Sequence, residues 1–566
     1  MSDGNNQNYL LAISLGPVQG FIAAARKTRD LWFGSYLLSE IAKAAAKHIA
    51  ANGGELIFPG VNDAAKELVP DSETSVANVI LAIVKNPPAP DEKKDGKITA
   101  IAKYAREVEK AAKSRWLEFA EKARAQIEEL AQAGKKEFAE VLRLPLWEQQ
   151  VGDVIEFYAA WVPYDDEKEY VEKRQRVMRL LAGRKNLRDF NPSSGVERLL
   201  KSSLDGANES VFFDGLPKKF YAPQWLREGE HLDAVGAVKR FATGEPFPST
   251  SEIAVTPLGQ VAVKKVQDSK DNDSGVKKLL EKSPYYVIIH ADGDKMGKVI
   301  SLLTSPKDHI DFSIALSDFA KRVKPIIEEH NGAGVYSGGD DVLGFLPLDT
   351  ALECARELHE EFAKLDDLPI VQELRKKNDL HISLSVGLVI VHHHEMLDVA
   401  LNFARGAEKN AKKQNKISEE KADKDDEKDG ERRFGDRDGL AIEEYCRSGA
   451  PVKIRERWGN GADALDRRLV KWADGFATGD ISAKFPYDLR ELGKLYRADA
   501  TASATAPMPP EAITAAVLQM IKHKDIKCDA LKEWAEKITT VAALKSFSDE
   551  LLIAQAFGAA KKKGGE

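Results

Sequence analysis

Three acidic side chains in two short stretches are the residues of this 566-residue chain best suited to chemistry: Asp292 in "HADGDKMG", and Asp340 and Asp341 in "YSGGDD". In "YYVIIHADGD" the residues Tyr286, Ile288, His290 and Asp292 alternate onto one face of an expected strand, with Asp292 at its end. Asp340 and Asp341 follow two glycines between the apolar runs of "VYSGGDDVLGFLPL", the pattern of a hairpin. Carboxylates that converge from distant sequence raise one another's pKa, and a divalent cation removes the conflict. An oxygen-only donor set suits a hard ion, magnesium or manganese, and two such ions about 3.5–4 Å apart serve phosphoryl or nucleotidyl transfer. Asp292, Asp340 and Asp341 are therefore the expected catalytic and metal-binding residues. Gly293, Asp294, Gly338 and Gly339 are expected where a nucleotide's phosphates approach the backbone. The plainer alternative is that "GGDD" is only a turn, since Gly and Asp are common turn residues; the strand ending in "DGDKMG" one helix earlier argues against it. "GDKMGK" is one residue short of a phosphate-binding P-loop and has no Ser or Thr after the lysine.

These residues need a sheet to bring them together. "YYVIIHADGD" reads as a strand, "DFSIALSDFAKRVKPIIEEHNG" as a helix, "AGVYSGGDDVLGFLPL" as a hairpin, "TALECARELHEEFAKL" as a helix and "LHISLSVGLVIV" as a strand, with "MLDVALNFARGAEKNAKK" closing the unit as a helix. That β-α-β-β-α-β order is the ferredoxin-like arrangement of nucleotide-polymerising palms, whose first strand and hairpin are central neighbours. The order occurs earlier too. "YLLAISLG", a helix from Ser35 to the Gly53–Gly54 stop, "ELIFPG", "VANVILAIV", a charged helix over 97–132 and "VIEFYAAWVPY" form a similar series without an Asp pair. The expected fold class is α+β. Its parts are a first palm over 1–165, a mixed middle domain and linker over 166–280, a second palm over 281–435, and a C-terminal domain over 436–566 that reads as helical from Gly439 onward. The charged run 416–433 reads as a solvated loop or disordered insertion.

Composition is that of an ordinary globular protein, 43% hydrophobic and 31% charged with a net charge of -7, which gives no hint of nucleic acid but can hide basic faces. Cys354, Cys446 and Cys528 lie far apart, so neither a disulfide framework nor a cysteine zinc site is expected. No signal peptide and no apolar run of membrane-spanning length is evident, and a cytoplasmic protein without membrane contact is expected.

The pair "HADGDKMG" and "YSGGDD" resembles the large polymerase/cyclase-like subunit of type III CRISPR effector complexes. "GPVQGFIAAARKTRDLWFGSYLLSEI", "RKNLRDF", "KSSLDGANESV", "FPSTSEIA" and "RDGLAIEEYCRSG" narrow the likeness to the type III-B (Cmr) branch, over roughly residues 9–450. The resemblance implies two palms with catalysis in the second, and assembly with other subunits, guide RNA and target RNA. It also implies target-activated conversion of ATP, with Mg2+ or Mn2+, into cyclic oligoadenylates. By the same resemblance Asp292, Asp340 and Asp341 match the metal carboxylates, Gly338 and Gly339 the turn glycines, and Lys412 a phosphate-binding lysine, with Lys409 and Lys413 as nearby competitors. The chain departs from the wider family in two respects. None of its eleven histidines is followed by aspartate and the first palm starts near residue 10, so a histidine-aspartate nuclease is not expected. The family's cysteine zinc site is also missing, which leaves the central domain to be held by packing alone. Two rival readings are a silent scaffold for guide RNA and small subunits, and a GTP-using cyclase; in the latter family a Phe follows the acidic pair, against Val342 here after Asp341.

"VHHHEM" (His392–His394) directly follows a strand, where neighbouring side chains point opposite ways, so a structural strand end is expected rather than a metal cluster. "ARKTRDLWFGSY" and "GRKNLRDF" mix basic and aromatic residues and could meet RNA or a partner subunit, or form a solvated face with a buried tryptophan. The resemblance favours contact.

Overall fold

The structure is a computed structural model that describes residues 7–88, 98–187, 195, 198–268, 273–413, 437–447, 449–501 and 510–564. In the N-terminal part, β1 (Tyr9–Gly16), β2 (Gly54–Phe58), β3 (Val79–Val84) and β4 (Glu156–Pro163) form an antiparallel sheet in the order β2–β3–β1–β4. This is the complete ferredoxin-like order. Helices Thr28–Ala51 and Ala100–Ala133 cover one face, burying Leu37, Ile41, Ala45 and Ile49 from the first and Tyr104, Val108, Trp116 and Phe119 from the second. Both sets recur at three- and four-residue spacing, so one stripe of each helix can enter the core.

The second sheet contains β5 (Tyr285–Gly293), β6 (Ala333–Ser337), β7 (Asp341–Leu346), β8 (Leu384–His392), β9 (Gly439–Tyr445) and β10 (Val452–Arg457), ordered β10–β9–β8–β5–β7–β6. Its β8–β5–β7–β6 part repeats the order of the first sheet. Helix Pro306–Glu329 starts earlier than its apolar pattern suggests, because the Ser305 hydroxyl accepts the Asp308 N–H at 3.1 Å and Pro306 occupies the first turn. With helix Ala351–Ala363 it covers the face of Val287, Ile289, Ala291, Val342 and Leu346. Helix Leu397–Ala411 covers the opposite face, on Tyr286, Ile288, Leu343, Phe345, Val389 and Val391.

The expectation of helix from Gly439 onward is corrected by β9 and β10. β9 pairs in parallel with β8, and Leu440 and Ile442 point into the same core as Val287. A parallel pair needs a crossover, and helix Leu397–Ala411 lies in it. Adjacent Glu443 and Glu444 obscure the period-two pattern in the sequence. Helices from Leu465 to Gly564 then pack on this same core through Trp472, Phe485, Phe547 and Leu551. The charged run 416–433 lies outside the described residues.

The 166–280 stretch distributes its buried side chains over both palms. Val211, Phe220, Ala237 and Phe241 join the core of the first sheet, whereas Ile253 and Ala254 join that of the second. The stretch is also held by more than apolar packing, against expectation. Arg240, fully buried, donates to both Asp30 oxygens at 2.7 and 2.5 Å and to Glu230 at 3.0 and 3.1 Å. Neighbouring Lys239 donates to the Ala24 carbonyl at 3.1 Å.

"ARKTRDLWFGSY" is part of this joint. Lys27 donates to the Pro223 and Trp225 carbonyls at 2.8 and 2.6 Å, Arg29 to the Arg240 carbonyl at 3.0 Å, and Trp32 stacks on Phe247 at 5.4 Å. Lys27 and Arg29 thus bind the chain's own backbone instead of being offered to RNA or a partner subunit, whereas Arg26 is exposed. In "GRKNLRDF" the last three residues lie outside the described residues.

Candidate active site

β5 runs through the middle of the second sheet, and the register sets Asp292 directly opposite Asp341 on β7 and opposite Ser385 on β8. Side chains opposite one another share a face. The structure thus brings together two carboxylates that are distant in sequence. Like charges facing each other across a ladder are unfavourable, so the pair needs a positive partner.

The surroundings divide the two carboxylates. Asp341 Oδ2 accepts from the Tyr336 hydroxyl at 2.6 Å, whereas Asp341 Oδ1 is buried with no hydrogen-bond donor and lies 3.9 Å from His290 Nε2. Burial pushes the His290 imidazole below its ordinary pKa, which favours its neutral form, and raises the Tyr336 phenol well above its own. Asp292 meets the ammonium of Lys412, which also lies 2.9 Å from Glu408 Oε1. Burial lowers the Lys412 pKa to about 8, with Arg437 adding to the effect. Of the three lysines at this helix end Lys412 is the one that turns to Asp292; Lys409 and Lys413 are exposed.

Asp340 leaves the hairpin on the other side of the sheet. Its carbonyl accepts the Gly293 N–H at 3.0 Å, and a Cβ added to Gly293 would lie 2.8 Å from Asp340 Cβ and 2.9 Å from Phe362 Cζ. Gly293 is needed for that close approach. Burial first, and Asp341 second, raise the Asp340 pKa to about 6. The expected convergence of three carboxylates is thus realised for Asp292 and Asp341 on one face, with Asp340 on the other.

The two turn glycines differ. Gly339 has φ +93, a conformation that side chains rarely adopt. Gly338 has no such φ, and a Cβ there would meet only the Tyr336 ring, at 3.9 Å. Asp294 is 1% exposed and accepts from Ser383 at 2.8 Å, Ser385 at 2.7 Å and the Asp438 N–H at 2.9 Å. It ties the turn after β5 to β8 and the start of β9, and that inward position replaces the expected approach to phosphate.

Among the described residues no three His, Cys, Asp or Glu side chains form a ready-made metal cage. Asp340 faces away and Lys412 covers Asp292, which accounts for this. The donors that remain nevertheless fit a hard divalent ion: a carboxylate pair on one rung, including a buried oxygen that receives no hydrogen bond. His392–His394 serve as a joint. His393 is buried, its Nδ1 lies 3.0 Å from the Ser251 hydroxyl, and its carbonyl accepts from Thr250 at 3.1 Å. Glu408, Tyr336 and Ser385 were missed in the sequence. The i, i+4 spacing of Glu408 and Lys412 is the one local signal that could have pointed to Glu408.

Two stretches of the chain are similar to known protein families. Residues 285–420 match the family described as Cas10/Cmr2, second palm domain, and residues 10–121 match CRISPR-associated protein Cmr2, N-terminal. The CRISPR system Cmr subunit Cmr2 of Pyrococcus furiosus is 34% identical over 146 residues, 21% of this chain and 16% of that relative. The Cmr2 subunit of Saccharolobus solfataricus is 26% identical over 119 residues, 19% of this chain and 11% of that relative. The aligned stretches thus span well under two thirds of these relatives. In overall fold the chain is similar to one in the cryo-EM structure of type III-B Cmr-beta in the apo state, with a TM-score of 0.61 at 15% identity, covering 92% of this chain and 77% of the other. A chain of the same assembly bound to cognate target RNA gives a TM-score of 0.59 at 15% identity, covering 92% and 78%.

Proposed function

We propose that this chain, which matches the Cas10/Cmr2 family over its second palm and the Cmr2 family over its N-terminal part, is the large subunit of a type III-B CRISPR effector complex and makes cyclic oligoadenylates from ATP. Target RNA paired to a guide RNA would activate it, with the other subunits of the complex as partners, in the cytoplasm. No described helix is long and apolar enough to cross a membrane.

The observation that carries this reading is the rung that sets Asp292 opposite Asp341. A sheet gains nothing from two carboxylates in that relation, whereas a site for a divalent ion does. Magnesium or manganese held by Asp292 and Asp341 would supply charge neutralisation and an activated hydroxyl when bound. Tyr336 fixes one oxygen of Asp341 and leaves the other without a donor. Gly338 supports the reading independently: neither its backbone conformation nor its neighbours require a glycine, so its smallness suits a phosphate at the turn. Lys412, beside Asp292, supplies a positive charge on the same side. A metal-activated hydroxyl needs no protein general base.

Product analysis on the assembled complex tests the proposal. Wild type with target RNA and ATP should yield cyclic oligoadenylates, whereas Asp292→Ala and the double substitution Asp340→Ala/Asp341→Ala should yield none and still assemble. Product from the Asp292→Ala complex at the wild-type rate would refute the assignment. Omitting target RNA checks activation, and competition between ATP and GTP checks the nucleotide.

A further inference from the structure

Lys412 stands between two carboxylates. Its ammonium meets Asp292, and 2.9 Å away lies Glu408 Oε1, one turn back on the helix end that leads to it. The Glu408 backbone is pressed against β8, where a Cβ added to Gly387 would lie 2.4 Å from Glu408 N. Glu408 itself is 8% exposed. The helix end is therefore packed closely against the sheet, and the four-carbon stem of Lys412 carries the rotatable bonds. A divalent ion and an ammonium compete for the same Asp292 oxygens, since both seek the same negative charge.

We propose that Lys412 is an exchangeable counter-ion: it neutralises Asp292 opposite Asp341, a divalent ion displaces it, and Glu408 then holds the ammonium beside the ion for a substrate phosphate. Glu408 is thus a positioning residue that acts through Lys412. This inference rests on the proposed nucleotide-and-metal reading of the site and adds a binding order to it. Metal binds against Lys412, and nucleotide binds with its help.

The test is Mn2+ binding to the full chain without nucleotide, followed by electron paramagnetic resonance, for wild type, Lys412→Met, Lys412→Arg and Asp292→Asn. Lys412→Met should bind Mn2+ roughly threefold to tenfold more tightly, the range expected for loss of a half-buried competing ion pair, and Lys412→Arg should stay near wild type. A second readout needs no substitution at the lysine. Mn2+ should increase reductive methylation of Lys412 in wild type, read by mass spectrometry. Glu408→Gln should weaken ATP binding while leaving Mn2+ affinity at or below wild type. Mn2+ binding that requires Asp292 but is indifferent to Lys412→Met, or that leaves Lys412 labelling unchanged, overturns the exchange alone. Mn2+ binding that survives Asp292→Asn overturns the metal reading as well.

Discussion

A rung of two carboxylates is held by what surrounds it, and single substitutions separate the contributions. Asp341→Asn keeps the shape and the Tyr336 hydroxyl contact but removes a charge that faces Asp292. It is expected to leave the fold intact by circular dichroism and, if the proposed ion is held by this pair, to lower product formation at least about a hundredfold. The turn glycines make a sharper contrast. Gly339→Ala forces a side chain into φ +93 and should cost about 1 kcal/mol in denaturant unfolding. Gly338→Ala should leave unfolding unchanged within about 0.5 kcal/mol, because only the Tyr336 ring is near, yet weaken ATP binding. Equal losses of stability at both positions would remove the argument that Gly338 is kept small for a ligand. Gly293, Asp292 and the GGDD turn were legible from spacing alone. The opposite facing of Asp340 was not, because it depends on where the hairpin begins its pleat.

At the scale of elements, the helix Ala234–Phe241 carries two adjacent cations, Lys239 and Arg240, into a fully buried position. A buried charge stays there only when paired, and Asp30 on helix Thr28–Ala51 and Glu230 supply the pairing. Arg240→Ala leaves Asp30 buried without its partner and is expected to destabilise the protein by about 3–5 kcal/mol in denaturant unfolding. A loss below about 1 kcal/mol would mean that the joint is held by apolar contact alone. In the sequence the "ARKTRD" cations look like a surface for RNA, since neither Arg240 nor the carbonyls of Pro223 and Trp225 are near them along the chain. The strands β9 and β10 were lost for a related reason. The partner of β9 on its inner side, β8, lies on the far side of a helix, and that parallel pairing leaves no hairpin signal in between; β10 pairs antiparallel with β9 and depends on its placement.

For the whole molecule the question is how the palms and the stretch between them are coupled. Helix Tyr170–Asn186 reaches the second palm through Tyr170, whose hydroxyl lies 2.7 Å from His309 Nδ1, and through Arg174, which donates to the Leu303 and Ser301 carbonyls at 3.1 Å each. The palms also touch directly: Lys321 pairs with Glu67 at 2.7 Å, and the Gly60 N–H donates to Ser313 at 2.6 Å. Burial, with Arg174 second, holds the His309 imidazole down at about 4 against an ordinary 6.5. A lowered histidine pKa means that protonation favours the unfolded chain. The contribution is therefore full above pH 6.5, is lost as pH falls towards 4, and changes no further below that. Wild type should lose on the order of 2–3 kcal/mol across that window through this group, and His309→Gln should lack that part of the slope. Unfolding at pH 7.5 and pH 4.5 checks this, and parallel losses in both proteins would exclude His309 as the cause.

The sequence by itself determined the two ferredoxin-like units, the strand that ends at Asp292 and the hairpin that carries Asp340 and Asp341, because these follow from periodicity and turn chemistry within short stretches. Only the tertiary structure decided that Asp341 rather than Asp340 faces Asp292, that Lys412 and Glu408 join them, and that Asp294 turns inward. It also decided that 166–280 is divided between two cores and fastened by Asp30 and Arg240. Each of these depends on register or on the meeting of surfaces far apart along the chain, and local propensity carries no record of either.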